Sequence, residues 1–109
     1  MQDLNIEMNK LRNELNLAIE FAKKRGQELA KAERDYRIAL AKKILIERDN
    51  KVPVTIISDI CRGDTEIAEL KFNRDALEVL YKSAGERINA TKLEIRIVEG
   101  QMESMRKGV

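Results

Sequence analysis

Twelve residues spaced alternately three and four apart run down the second half of this chain. They are Ile67, Leu70, Arg74, Leu77, Tyr81, Ala84, Ile88, Thr91, Ile95, Val98, Met102 and Met105, and only Arg74 and Thr91 are polar. A strict 3–4 alternation sustained over about six heptads keeps one face of an α-helix apolar from end to end. A second seam of the same kind precedes it: Leu4, Met8, Leu11, Leu15, Ala18, Ala22, Arg25, Leu29, Ala32, Tyr36 and Ala39. One connector, punctuated by Pro53 and Gly63, separates the two. Two long seams joined by one break predict an all-α protein, a long antiparallel helical hairpin with a short helical connector.

The boundaries follow from local chemistry. The first helix is predicted over about residues 3–48, ending at Asp49-Asn50 because Pro53 cannot continue it. Residues 49–63 form the connector. Within it Val54, Ile56, Ile57, Ile60 and Cys61 predict a short helix over 54–62 that caps the hairpin against the apolar stripe around Ile44. That stripe widens after Tyr36 to include Ile38, Leu40, Ile44, Leu45 and Ile46, so this end should meet more than one neighbour. Gly63 reads as a helix stop in the left-handed conformation, and Asp64 as the N-cap of a last helix over about 64–106. Gly26 sits inside the first helical pattern and marks a weak point or a close contact, since glycine costs about 1 kcal/mol relative to alanine inside a helix.

Charge and composition restrict the function classes. Lys, Arg, Asp and Glu make up 37% of the chain and aromatic residues 4%, the profile of a long-helix protein. The 21 basic and 19 acidic residues are interspersed, which describes a solvated helical surface rather than a nucleic-acid-binding tail. There is no histidine and a single cysteine, so the commonest acid–base group and a thiolate metal site are both missing. No glycine-rich phosphate loop occurs. These features predict no enzyme, no cofactor and no metal. A chain without a signal-like start or a long apolar run is expected to be cytoplasmic and without a membrane span.

Two helices of this length bury only one side of each other. Phe72, Ala76, Val79 and Leu80 lie beside the second seam, and Ala68 extends that side toward the connector. Self-association into a four-helix-bundle dimer covers such a surface, and a hetero-partner covers it equally well. The hairpin and oligomer seam is expected to be carried by Leu11, Leu15, Leu29, Tyr36, Leu70, Leu77, Tyr81, Ile88, Ile95 and Val98.

A hairpin closing near residue 57 would pair positions whose numbers add to about 115. On that register Lys23, Lys24 and Arg25 approach Arg87 and Lys92, a candidate phosphate or partner patch. The competing reading is ion pairing with Glu20, Glu28, Glu86 and Glu94. The same register brings Arg25 near Thr91 and Tyr36 near Tyr81. Arg25, Arg74 and Thr91 read as polar seam residues that set register. Arg62-Gly63-Asp64 spells an integrin-binding tripeptide, but the helix ends already explain Gly63 and Asp64. Asn89-Ala90-Thr91 fits a glycosylation sequon and falls inside a predicted helix.

The connector Ser58-Asp59-Ile60-Cys61-Arg62-Gly63-Asp64 and the later run Val79-Leu80-Tyr81-Lys82-Ser83-Ala84 carry one resemblance. From Tyr36 to Val98 the chain resembles small helical proteins encoded by phages and prophages of Gram-positive bacteria. The resemblance implies a phage accessory protein and assigns no role to any residue. Four functions fit these features: a helical rod that binds another protein, a nucleic-acid-binding accessory protein of a replication or recombination module, a virion assembly or spacer protein, and a binder that sequesters a nucleotide.

Overall fold

A computed structural model describes residues 2–108. Among them there are three helices, α1 (Gln2–Asp49), α2 (Val54–Gly63) and α3 (Thr65–Lys107), and no strand. Asp3 in the first turn of α1 and Arg48 in its last complement the partial charges at the two ends of the helix. Arg106 and Lys107 do the same at the end of α3.

The chain packs as two compact units. In one, the α1 residues up to Arg25 lie against the α3 residues from Tyr81 onward. Met8, Leu11 and Val98 form its buried cluster, closed by Leu4, Ile95 and Met102. Ala18, Ala84 and Thr91 are buried along the same contact faces. The other unit runs from Gly26 to Leu80 and contains α2. On α1 the division falls between Arg25 and Gly26, the glycine inside the first helical pattern.

Burial along the seams is uneven. Leu11 and Val98 are buried, whereas Leu15, Leu29, Tyr36, Leu70, Leu77, Ile88 and Ile95 are only half-buried. Tyr81 is exposed. A pair of helices covers one side of each seam residue and leaves its flank to solvent.

The pairing register differs from the expected one. Met8 and Leu11 meet Val98, and these numbers add to 106 and 109. In the unit with α2, Lys43 meets Asp64 and Glu33 meets Arg74, each pair adding to 107. The chain reverses at residues 50–53, not near residue 57, because α1 continues six residues past Lys43, about 9 Å at 1.5 Å per residue. The α2 helix then brings the chain back to the level of Lys43.

The reversal is a helix C-cap with an unusual residue in it. Val52 N–H donates to the Glu47 carbonyl and Lys51 N–H to the Arg48 carbonyl. Those two bonds define a Schellman end, with Lys51 as the left-handed residue at φ 61°. Pro53 follows two residues later, as is common after such an end. Gly63, by contrast, has no positive φ and is the last residue of α2. The expectation of a left-handed Gly63 is therefore corrected. Asp64 alone breaks the chain between α2 and α3, in extended conformation at φ −69°, ψ 128°. Its Oδ1 accepts from Ile67 N–H at 3.1 Å, so Asp64 does serve as the N-cap of α3.

These assignments reverse the expected sensitivity of the two positions. Lys51→Gly should raise stability by about 1 kcal/mol, since an L-residue in the left-handed region is strained by about 1–2 kcal/mol and glycine returns part of that as chain entropy. Gly63→Ala should be neutral or slightly stabilising, because a Cβ there meets open space. Thermal melts of the two variants check the assignment. No gain in Lys51→Gly, together with a clear loss in Gly63→Ala, would contradict it.

Candidate functional site

The α2 helix borders a trough that resembles a binding site. Ile57 and Cys61, one turn apart, are buried at 5% and 2% exposure. Burying a side chain such as isoleucine contributes about 1.5–3 kcal/mol, which anchors this ten-residue helix. Its neighbouring face, Val54, Ser58 and Arg62, then borders a trough of about 860 Å³. Leu40 and Ile44 from α1 and Ile67, Ala68 and Phe72 from α3 complete the apolar lining. The α2 helix and the Leu40–Ile44 flank line this trough together, at the end of α1 where the sequence predicts a cap. The rest of the widened stripe stays uncovered, with Ile38, Leu45 and Ile46 about half exposed.

Charged groups ring the trough. Arg48, Arg62, Lys71 and Asp75 all line it. Asp75 is already engaged, because Arg74 Nη2 lies 2.8 Å from its Oδ1. The side chains of Arg48, Arg62 and Lys71 form no ion pair among the described residues. In the sequence Arg62 stands out only as part of a tripeptide and Arg48 only as the predicted end of the first helix. The spacing Val54-Ser58-Arg62, beside Ile57-Cys61, is the signal that places Arg62 on the rim.

Two polar clusters hold this unit in register. Arg74 reaches Glu33 on α1 at 3.3 Å and stacks over the Tyr36 ring at 4.6 Å. Its hydrogen bond to Asp75, with the charges of Asp75 and Glu33, pushes the Arg74 pKa up. Glu33 is held below its usual range by its hydrogen bond from Arg37 and then by the charges of Arg37 and Arg74. At the end near α2, Lys43 Nζ lies 3.1 Å from Glu47 and 3.5 Å from Asp64. The Ile67 N–H bond, followed by the charge of Lys43, lowers the Asp64 pKa. These groups tie helix to helix and do not create an acid–base pair.

The other sequence candidates are placed as follows. Lys23, Lys24, Arg87 and Lys92 are exposed and Arg25 is half-buried. With paired numbers adding to 106–109, Lys24 faces residues near 82–85. Lys92 then lies about 10–15 Å further along α3. Arg87 stays within about 8 Å along α3 of the residues facing Lys24, so the observed register sets Lys92 apart from the other cations. Lys23 pairs with Glu20 at 3.4 Å, and Arg25 lies over the Phe21 ring at 4.7 Å. Thr91 is not beside Arg25. Its hydroxyl donates to the Arg87 carbonyl one turn back in its own helix at 2.9 Å, which also accounts for a threonine in a buried seam and in the sequon. Of the three polar seam residues, Arg74 makes a cross-helix ion pair and Thr91 bonds within its own helix. Arg62 and Gly63 are helical and Asp64 is a cap, so the tripeptide is the junction between two helices.

Among the described residues no group of three or more His, Cys, Asp or Glu could hold a metal ion. No helix among them is long and apolar enough to cross a membrane. Compared with known protein families, curated proteins and solved structures, the chain matches none.

Proposed function

We propose that this chain is a non-enzymatic accessory protein of phage type that works in the cytoplasm by binding other proteins, as a self-associated helical bundle. The observation that carries this reading is a second apolar stripe on both long helices. On α1, Leu17 and Phe21 are one turn apart, Ile6 lies three turns before Leu17, and Ile38 and Leu45 are two turns apart. On α3, Val79 lies about four turns before Leu93, and Leu93 and Ile97 are one turn apart. All eight are exposed, Leu17, Val79 and Ile6 by more than 60%. Single exposed apolar residues are ordinary, but stripes at helical spacing mark contact surfaces.

Melting at several protein concentrations tests the reading. Association that stabilises the folded chain makes the melting temperature rise with concentration. A melting temperature independent of concentration would contradict it. In the observed register Lys92 is set apart from Lys23 and Lys24, and we rank protein binding ahead of nucleic-acid binding, a virion spacer role and nucleotide sequestration.

A further inference from the structure

We infer that the trough beside α2 is a docking groove for an amphipathic helix of a partner protein, one whose apolar stripe is flanked by glutamate or aspartate. This deepens the reading of the chain as an interaction protein and rests on it. Val54 and Phe72, each 71% exposed, are the most exposed large apolar side chains among the described residues, and both line this trough. They stand over a floor that includes buried Ile57 and Ile67. An apolar floor between helices, with apolar side chains standing at its edge, is the shape that receives the apolar face of another helix.

Charge selects the occupant. Arg48, Arg62 and Lys71 bring three positive charges to the rim from three different helices, and none is neutralised by an ion pair among the described residues. The one rim carboxylate, Asp75, is held by Arg74. A second copy docking by the same trough would set these cations against themselves across a two-fold axis, which is unfavourable. The self-association stripes and this groove therefore do separate jobs. An acidic-flanked helix satisfies both the floor and the rim.

Three synthetic peptides of about 14 residues, four helical turns, test this. They share one leucine stripe and differ only in flanking residues, which are glutamate, glutamine or lysine. The Glu peptide should bind about tenfold more tightly than the Gln peptide at low salt, with the gap closing at high salt. It should shift the NMR signals of Val54 and Phe72. The exposed double variant Arg62→Glu, Lys71→Glu should instead prefer the Lys peptide. If that variant does not fold, Arg62→Gln, Lys71→Gln should bind the Glu and Gln peptides more nearly equally. Equal binding of the Glu and Gln peptides by the parent, or shifts elsewhere, would overturn the proposal. So would binding of dodecanoate in the trough without the Glu peptide, which would make it a small-amphiphile site. Shifts at Val54 and Phe72 on simple dilution would assign the trough to a second copy and overturn it as well. Loss of peptide binding in a protein that still self-associates removes this proposal alone. Peptide binding by a lone chain removes only the self-association.

Discussion

Leu11→Asp should unfold the unit in which α1 up to Arg25 packs on α3 from Tyr81. Leu11 is 6% exposed and sits in the cluster with Met8 and Val98. Truncating a buried leucine costs about 2–5 kcal/mol. A carboxylate left there without a partner adds a desolvation penalty of at least about 1–3 kcal/mol. The total approaches the whole stability of a typical domain, about 5–15 kcal/mol. Amide exchange should show lost protection over residues 2–25 and 81–107, and the helical circular dichroism signal should fall. Leu11→Met conserves volume and should cost less than about 1.5 kcal/mol. Leu77→Asp and Ile88→Asp, at half-buried seam positions, should be milder than Leu11→Asp. Equal effects at all three positions would mean that association, not the contact within the chain, buries the seam.

Leu17→Glu combined with Leu93→Glu should dissociate the assembly while leaving the helices intact. Both side chains are exposed in the single chain, by 67% and 56%. Glutamate is a good helix former, so the lone chain loses little. In an assembled bundle the same positions would be covered, and each copy would carry two unpaired charges into the contact. Association should weaken by at least about a hundredfold, equivalent to about 2.7 kcal/mol. Gel filtration with circular dichroism separates the outcomes. Unchanged elution would show that these stripes are not the contact, and lost helicity would show that the chain does not fold alone.

Helix existence was legible in the sequence because periodicity states it directly. Both long helices begin and end within about two residues of the expected places. The burial of Ile57 and Cys61 was also legible, from the apolar cluster after Pro53. Register was not. The expected sum of paired positions, about 115, differs from the observed 107 by just over one heptad. Sliding antiparallel seams by a heptad still sets apolar residues against apolar residues. The charged pairs decide between such registers, and Arg74–Glu33 and Lys43–Asp64 exist only in one. The left-handed residue was missed for a related reason. Glycine is the usual occupant of that position, so Gly63 drew the assignment, while the hydrogen bonds of the α1 end place Lys51 there. Of the candidate site, the apolar floor could be read from sequence. The cationic rim could not, since Arg48, Arg62 and Lys71 come from three helices and converge only once α2 is placed.

Sedimentation equilibrium at micromolar concentration tests the central claim, that this chain acts as an associated helical bundle. The single chain has a mass of 12.5 kDa. The account predicts an even multiple of that mass for the parent, and the single-chain mass for the Leu17→Glu, Leu93→Glu variant at the same concentration. A stable, folded parent that sediments as one 12.5 kDa chain across the micromolar range would contradict it.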